Sequence, residues 1–381
     1  MNATFTPEEL RTLLGRPVRQ LLTAADRRAF RGRRVLITGA GGSIGSALAR
    51  AVAACRPATL TLVDHSERHL FEIGQALDGE APGVAADLQL ADVSRPALVQ
   101  RVWRTAAPEV VFHAAAYKHV AMLEGDVCAA VAVNVLGTAH VARATRAAGA
   151  RLVLVSSDKA AAPRSVMGAS KRLAELVALA AAGEHFRPIV VRFGNVLGSS
   201  GSLLTILRDR IRQGRPLPIT DPDATRYFMT ADEAVSLVMK ADRVARRPEI
   251  YWLDMGAPVA IGDLADRLLV LEARAGYPPV PIEVIGLRPG EKRREELAAQ
   301  GLRLMATSHR RLWVARQGPT DSLRIRRVIE RLRPAVEEGD ARQVLELLVT
   351  AVPGYVPSDL AGQLAARQSP PARRAAWSRT A

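Results

Sequence analysis

A short polar segment follows an apolar run near the middle of the chain: "RLVLVSSDK" ends in Ser157, Asp158 and Lys159. An adjacent carboxyl and amine can work as general acid and general base, although the same two residues could form an ordinary surface salt bridge. Further along, "MGASK" places Met167 four residues before Lys171, so one helical face would carry both. A buried lysine can be tuned toward neutrality, but a thioether cannot transfer a proton. Proton chemistry at this place therefore cannot use Met167.

A glycine-rich turn in "RRVLITGAGGSIG" stands between a buried strand and the start of a helix. Gly39 allows a tight turn, Gly42 lets a pyrophosphate approach the backbone, and Gly45 lets the helix pack closely on the strand. The first helical residues, Ser43 and Ile44, would present N–H groups to the phosphates. The pattern therefore predicts a dinucleotide site.

The choice of dinucleotide depends on Asp64, which ends the next apolar strand, "TLTLVD". A carboxylate there can accept hydrogen bonds from both ribose hydroxyls and would repel a 2′-phosphate, so NAD is favoured over NADP. Asp92 and Val93 are predicted to lie beside the adenine, or else to form a simple loop cap. Small residues that would let the cofactor approach closely follow the strand "VVFH": Ala114, Ala115 and Ala116.

Apolar strands alternate with alanine-rich helices from residue 33 to about 195, which is typical of α/β proteins with a doubly wound parallel sheet. After residue 195 the pattern loosens into loops such as "GRPLP", as in a smaller α/β substrate-binding lobe. The predicted divisions are a helical lead-in at 1–32, a nucleotide-binding domain at 33–195, a region that is mainly the lobe at 196–300, a C-terminal helical region at 301–362 and a disordered tail at 363–381.

The composition is strongly basic, with a formal net charge of +15. The 53 basic residues are scattered and only 4% of residues are aromatic, so a nucleic-acid partner is not expected. Only five residues are lysines, and most of these lie in the motifs described here: Lys118, Lys159, Lys171, Lys240 and Lys292. The histidines and the two cysteines lack metal-ligand spacing, so no metal site is predicted.

Seven motifs in order resemble one family: "TGAGGSIG", "HAAAYKHV", "SSDKA", "MGASK", "VRFGNVLGSSGS", "TRYFMT" and "GLRPGEK". They are similar to the UDP-N-acetylglucosamine 4,6-dehydratases of the polysaccharide biosynthesis protein family. That family has the Rossmann-type fold of the extended short-chain dehydrogenase/reductases. Large members carry an N-terminal membrane region that is missing from this sequence. The resemblance therefore implies a cytoplasmic form without a membrane span, and a homo-oligomer.

The resemblance also implies a reaction on a UDP-sugar. NAD takes a hydride from C4, water leaves across C5 and C6, and the hydride returns to C6. The elimination needs an acid at the C6 hydroxyl and a base at C5, and we assign Asp158 and Lys159 to these roles, with Ser157 holding a sugar hydroxyl. For Lys159 to act as a base near neutral pH, its pKa is expected to be lowered by burial or by nearby cations.

Met167 stands where related enzymes carry a catalytic tyrosine. A subgroup of these dehydratases is similar to this chain in having methionine there, and it is associated with retention of configuration at C5. Lys171 can still bind the nicotinamide ribose. The C4 hydroxyl proton would then go to Asp158, Ser157 or water, and the sequence does not choose among them.

Further assignments follow from motif context. Lys118, His119 and Glu124 are expected to line the cleft beside the sugar, or else to cap a helix. Asn134 is grouped with the cofactor site and is expected to hold backbone near the catalytic strands. Residues expected to bind the UDP moiety are Asn195, Arg226 and Arg288 at the diphosphate and Glu291 at the uridine ribose.

Three alternatives remain open. A 4-epimerase needs acid–base chemistry at C4 only, which would not require the "SDK" segment. A UDP-sugar 5,6-dehydratase would stop after elimination. An inactive NAD-binding sensor would bind the cofactor without turnover.

Overall fold

The computed structural model describes residues 5–19, 22–199, 201–296, 304–316 and 318–368. The strands in these ranges are β1 Arg34–Thr38, β2 Thr59–Asp64, β3 Ala86–Leu90, β4 Val110–His113, β5 Arg151–Val155, β6 Ile189–Arg192, β7 Asn195–Val196, β8 Leu217–Ile219, β9 Thr225–Arg226, β10 Phe228–Met229, β11 Ile250–Leu253, β12 Val259–Ala260, β13 Ile282–Val284, β14 Leu304–Ala306 and β15 Leu312–Ala315.

The helices are α1 Pro7–Leu14, α2 Ala24–Arg28, α3 Ser43–Ala53, α4 Glu67–Glu80, α5 Pro96–Ala106, α6 Val120–Leu123, α7 Val127–Val131, α8 Thr138–Ala147, α9 Val166–Ala180, α10 Leu203–Arg212, α11 Ala231–Val244, α12 Ile261–Arg274, α13 Ser322–Glu337, α14 Ala341–Ala351 and α15 Asp359–Gln368. A π-helical turn, Ala132–Gly137, joins α7 to α8, and a single 3₁₀ turn, Asp158–Ala160, follows β5.

Among the described residues, the main sheet has nine strands in the order β14-β15-β11-β6-β5-β4-β1-β2-β3. Along the sheet, neighbouring strands pair in parallel in the series β11, β6, β5, β4, β1, β2 and β3. Strand β15 pairs antiparallel with both β11 and β14. The inner order, 3-2-1-4-5-6, is that of a doubly wound Rossmann sheet. The predicted fold class is confirmed.

Helices cover both faces of this sheet because successive strand residues enter different cores. Val35 and Ile37 of β1 pack with α3, α4 and α11, whereas Leu36 packs with α5 and α8 on the other face. This two-sided burial explains why the strands are continuously apolar rather than alternating. Helices α13, α14 and α15 form a further layer over α7 and α9.

A second, smaller lobe is built on helices α1, α10 and α12 and strands β8, β9, β12 and β13, around its own apolar core. Leu13 and Leu14 of α1 lie in that core, so part of the predicted lead-in belongs to the lobe. The chain leaves the main sheet after β6, builds this lobe, and returns to add β11, β14 and β15.

The predicted boundaries at 195, 301 and 363 therefore do not match the structure. β11 lies in the segment assigned to the lobe, and β14 and β15 lie in the segment predicted as helical. Each has only three or four residues, too few to show a period. Helix α15 continues through Gln368, with Ala361 and Ala365 buried against the C-terminal layer. Residues 369–381 of the predicted tail lie outside the described ranges.

Within the described part of the chain, one helical stretch, Val127–Ala147, has the length and apolarity of a membrane span. It comprises α7, the π-helical turn and α8, and 61% of its most apolar window is buried inside the protein. It packs against α9, α13 and α14, as a core helix does.

The glycine turn after β1 is packed too closely for side chains. Gly39 has φ +66°, and a Cβ there would lie 2.7 Å from the Ala115 backbone. A Cβ on Gly45 would lie 1.9 Å from the Gly39 carbonyl oxygen. Gly42 is less enclosed, since its nearest neighbour would be 3.2 Å away. The turn thus draws β1, β4 and α3 together.

A buried ion pair holds α9 against the sheet. Glu175 of α9 accepts hydrogen bonds from Arg192 Nε at 2.6 Å and from Arg172 Nη1 at 2.9 Å, and the Ser156 hydroxyl also donates to it. Burial raises the pKa of Glu175, but Arg192, Arg172 and Ser156 outweigh it and hold the pKa below its ordinary value. The carboxylate therefore stabilises the fold at neutral pH, and this contribution is lost as the pH falls through the lowered pKa.

Substituting Gly45→Ala should lower the free energy of unfolding by about 1–3 kcal/mol, because the new methyl group overlaps the Gly39 carbonyl. Gly79→Ala is the control: it also lies in a helix, α4, but an added Cβ meets nothing within 4 Å. That change should raise stability by about 0.5–1 kcal/mol. Urea unfolding measures both, and equal stability changes would contradict the packing described for Gly45.

Glu175→Gln should cost about 3–5 kcal/mol of unfolding free energy, because it leaves the buried Arg192 charge without a counter-ion. The control is Glu80→Gln, which removes the exposed Glu80–Arg50 pair, whose side chains are 54% and 43% exposed. That change should cost less than about 1 kcal/mol. Thermal and urea unfolding provide the comparison; a small loss for Glu175→Gln would show that this ion pair does not anchor α9.

Candidate active site

Several of the predicted site residues meet at one edge of the main sheet, where its central parallel strands end. The glycine turn follows β1, Ala114–Ala116 follow β4, and Ser157–Lys159 follow β5. Asp64 is the last residue of β2. Because parallel strands end at the same edge, segments distant in sequence become neighbours there.

Asp158 and Lys159 form a close pair at the end of β5. Lys159 Nζ donates to Asp158 Oδ1 at 3.0 Å, and the Ser157 hydroxyl donates to the same oxygen at 2.9 Å. The Asp158 side chain is fully buried and that of Lys159 is 19% exposed. Asp158 Oδ2 is buried with no hydrogen-bond partner among the described residues. The pair is therefore a buried ion pair rather than a surface salt bridge.

The expectation that Lys159 has a lowered pKa is wrong for the free protein. Burial by itself would lower the pKa, but the carboxylates of Asp158 and Glu295 outweigh it and raise the pKa above its ordinary value. Glu295 Oε1 lies 3.4 Å from Lys159 Nζ, and the Glu295 side chain is only 3% exposed. Glu295 is not among the site residues predicted from the sequence. The available signal was its place in the acidic and basic run that continues "GLRPGEK".

Met167 and Lys171 lie on α9, as their spacing predicts, and both are buried. Lys171 Nζ donates to the Val155 carbonyl oxygen at the end of β5, at 2.6 Å. Burial lowers the pKa of Lys171 to about 8, and Glu175 only partly opposes this effect. Lys171 thus lies beside the strand end that precedes the Asp158–Lys159 pair.

A buried hydrogen-bond chain joins the ends of β1 and β4. His113 Nδ1 lies 2.7 Å from Thr38 Oγ1, and its Nε2 lies 3.1 Å from Thr138 Oγ1. The Thr138 hydroxyl donates to the Asn134 carbonyl, so Nε2 carries the histidine proton and Nδ1 accepts from Thr38. Burial, and then Lys171, lower the pKa of His113 to about 3, which keeps the ring neutral.

The residues predicted for the adenosine side are anchored to backbone. Asp64 Oδ2 accepts from the Gly41 N–H and Oδ1 from the Ser66 N–H, each at 3.0 Å. Asp92 Oδ1 accepts from the Ser94 N–H at 2.8 Å, which is the loop cap considered as the alternative. Val93 is buried under Gly137.

The N-terminus of α3 fits a pyrophosphate. Gly42 is its N-cap, and no side chain caps the helix there. A helix N-terminus without a side-chain cap offers N–H groups and a partial positive charge to an anion. Neighbouring atoms crowd the backbone at Gly39 and Gly45, whereas the backbone at Gly42 stays accessible to a phosphate.

Asn134 clamps a loop to α9. Its Oδ1 accepts from the Tyr117 N–H at 2.8 Å, and its Nδ2 donates to the Tyr117 carbonyl and to Ser170 Oγ. This contact holds the segment that carries Lys118 and His119. Those two side chains are exposed, and the His119 ring lies 2.9 Å from the position of a Cβ on Gly201.

Glu124 does not fit its predicted contact with the sugar. It is 2% exposed; Oε1 accepts from the Val166 N–H at 2.7 Å and Oε2 from the Ser358 hydroxyl. Both oxygens therefore tie protein segments together, at the start of α9 and before α15. The alternative expectation, a helix N-terminal cap, fits Glu124, because Val166 is the first residue of α9.

Arg226 was predicted to clamp the diphosphate, but the structure engages its guanidinium within the protein. Nη1 donates to the Thr225 and Arg293 carbonyls, and Nη2 to that of Lys292. Asn195 Oδ1 accepts from Lys159 Nζ at 3.4 Å, so it lies at the acid–base pair. Arg226 therefore organises the 292–295 backbone.

Arg288 and Glu291 form a turn of their own. The Glu291 carboxylate accepts from the Arg288 N–H at 3.2 Å, and the Glu291 N–H donates back to the Arg288 carbonyl. The Arg288 side chain is exposed. Glu291 is half-buried, and the predicted contacts of both residues with UDP stay predictions.

Comparison with known proteins assigns the chain to a family. Residues 35–317 match the family model described as "Polysaccharide biosynthesis protein". The chain is 43% identical over 291 residues to the probable polysaccharide biosynthesis protein EpsC of Bacillus subtilis, an alignment that covers 75% of this chain and 48% of EpsC. The chain thus spans about half the length of that relative.

Solved structures share the fold. Pen from Bacillus thuringiensis superposes with a TM-score of 0.67 at 28% identity, covering 75% of this chain and 86% of Pen. DesIV from Streptomyces venezuelae, a dTDP-glucose 4,6-dehydratase with NAD bound, gives a TM-score of 0.61 at 22% identity, covering 70% of this chain and 88% of DesIV. With the family model matching most of its length, this chain belongs to the polysaccharide biosynthesis protein family.

Proposed function

We propose that the protein catalyses the NAD-dependent 4,6-dehydration of a UDP-N-acetylhexosamine, UDP-N-acetylglucosamine above all, to the 6-deoxy-4-keto sugar nucleotide. The observation that carries this proposal is the buried Asp158–Lys159 pair, with 3.0 Å between its proton-bearing atoms, at the sheet edge that also holds the glycine turn. A 4-epimerase needs acid–base chemistry at C4 only, so its reaction does not require a further acid–base pair of this kind. The substrate class rests on the family and on the motifs that it shares with such dehydratases.

A bound nicotinamide dinucleotide would supply hydride acceptance from C4 and hydride return at C6. The residues that would hold it are the glycine turn and the α3 N-terminus at the pyrophosphate, Asp64 at the adenosine ribose and Lys171 at the nicotinamide ribose. Asp64 Oδ1 and Oδ2 each accept one backbone hydrogen bond, and a carboxylate oxygen can accept a second. A 2′-phosphate would meet this carboxylate, which favours NAD over NADP.

The elimination requires that the Asp158–Lys159 pair hold one proton and that this proton be on Asp158. In the free protein the raised pKa of Lys159 keeps that proton on the amine. Transfer along the 3.0 Å hydrogen bond gives a neutral lysine and a protonated aspartic acid without any external proton. Lys159 then removes the C5 hydrogen, which a 4-keto group acidifies, while Asp158 protonates the departing C6 hydroxyl. The products are water and a 5,6-alkene.

Met167 is buried in the apolar core formed with α7, α13 and α14, and its thioether cannot relay a proton. The C4 hydroxyl proton is then accepted by Asp158, Ser157 or water. Methionine at this position agrees with the C5-retaining subgroup, to which we assign the chain. A cytoplasmic location and a homo-oligomeric state remain predictions.

The test incubates the purified protein with UDP-N-acetylglucosamine in deuterated water and follows the sugar by NMR. The expected product is the 6-deoxy-4-keto sugar with deuterium at C5 and retained C5 configuration, since the proton that re-enters at C5 comes from solvent. A 5,6-alkene would show that the reaction stops after elimination. Inversion at C4 without C5 exchange would mean an epimerase, and unchanged substrate with bound NAD would mean a sensor.

Asp158→Asn and Lys159→Ala should abolish product formation, by at least about a hundredfold for the loss of a general acid or base. NAD content, measured on cofactor released by denaturation, should stay at the wild-type level. Glu80→Gln, on the exposed face of α4, serves as the matched control with normal turnover. Loss of NAD from the two variants would show that the pair supports the cofactor and that the acid–base assignment is misplaced.

A further inference from the structure

Lys159 is close to a carboxylate from the second lobe that the proposed reaction does not use. Glu295 Oε1 lies 3.4 Å from Lys159 Nζ, and the Glu295 side chain is 3% exposed. Its other oxygen, Oε2, is buried with no hydrogen-bond partner in the described ranges. Lys159 therefore lies between two carboxylates contributed by different parts of the fold.

The segment that carries Glu295 is held in place by backbone contacts. Arg226 of β9 donates to the carbonyls of Lys292 and Arg293, and Thr225 forms a β-bridge with Arg294. These contacts act on the main chain, so the position of Glu295 does not depend on its own side-chain contact. The fixed main chain places the base of the Glu295 side chain near Lys159, and burial of that side chain restricts its rotamers there.

The charges around Lys159 favour its protonated form. Asp158 and Glu295 are the two anionic groups that face it, and Asn195 Oδ1 adds a neutral acceptor at 3.4 Å. Arg226 opposes them, with its Nε at 3.9 Å from Glu295 Oε1, and Lys292 Nζ lies 4.0 Å from Glu295 Oε2. Both cations therefore lie on the Glu295 side of the contact with Lys159.

Resting on the dehydration proposed above, we propose that Glu295 is a positioning residue of the acid–base pair. Its carboxylate holds the Lys159 ammonium beside Asp158 and keeps on the pair the single proton that elimination requires. Glu295 itself gains and loses no proton in the cycle. It acts through Lys159.

The first test reads the charge of Lys159 directly and needs no turnover. Because the chain has only five lysines, protein labelled with ¹³C at lysine Cε gives at most five signals, and Lys159→Arg identifies the relevant one. In Glu295→Gln, which preserves size, the Lys159 signal should titrate at least about one pH unit lower than in the wild type, as expected for the loss of an opposite charge within 4–6 Å. An unshifted titration overturns the proposal.

Glu296→Gln is the matched control. Glu296 is the next residue, its side chain is 46% exposed, and its nearest cation is Lys292 at 3.7 Å rather than Lys159. The Lys159 titration should be unchanged in this variant. A shift equal to that of Glu295→Gln would attribute the effect to the general charge of the segment, and the specific role of Glu295 would be lost.

The second test follows turnover of UDP-N-acetylglucosamine against pH. The pair is active while it holds one proton, so activity falls at alkaline pH where that proton is lost. In Glu295→Gln this alkaline fall should move to lower pH by at least about one unit, a tenfold loss at a fixed pH on that limb. A uniform loss of activity at every pH, with the limb unmoved, indicates a merely structural residue and overturns the proposal.

The two proposals fail in distinguishable ways. Absence of turnover by the wild-type protein contradicts the dehydratase function, whatever Glu295 does. Normal wild-type turnover, together with an unshifted Lys159 titration in Glu295→Gln, contradicts the role of Glu295 alone.

Discussion

The buried contact between Glu175 and Arg192 is the interaction on which the site depends. It connects α9 to β6, and it reaches the end of β5 because Ser156 donates to the same carboxylate. Arg192 also donates to the Ala160 carbonyl, at the end of the 3₁₀ turn that carries Asp158 and Lys159. One carboxylate therefore orients the helix of Lys171 and the turn of the acid–base pair together. Since both charges are buried, neither could be removed without leaving the other unpaired.

The two lysines of the site show how one residue type acquires opposite properties. Lys171 is buried against a backbone carbonyl, and its pKa falls to about 8. Lys159 is also largely buried, but two carboxylates face it and its pKa rises. Burial penalises the ammonium in both places, so the difference comes from the counter-ions. A chain that is otherwise rich in arginine uses lysine here because only lysine can change its charge.

The charged residues of the second lobe serve its own architecture as much as any ligand. The Arg226 guanidinium donates hydrogen bonds to three backbone carbonyls. These bonds hold the segment that carries Glu295 beside Lys159. Glu124 similarly joins the start of α9 to the segment before α15. Motif context groups such residues with the predicted site region. It does not distinguish a residue that touches substrate from one that holds the residue touching it, because both are polar and both lie near the cleft.

The sequence by itself determined the doubly wound sheet, the glycine turn and the strand-end position of Ser157, Asp158 and Lys159. These features are local, since apolar runs, glycine spacing and helical period act over a few neighbouring residues. Only the tertiary structure decided that β14 and β15 extend the sheet, that Arg226 faces backbone, and that Glu295 meets Lys159. These contacts join residues 66 or more positions apart, or strands of three or four residues. The charge of Lys159 belongs to this second group, because its pKa depends on which carboxylates the fold brings within a few ångströms.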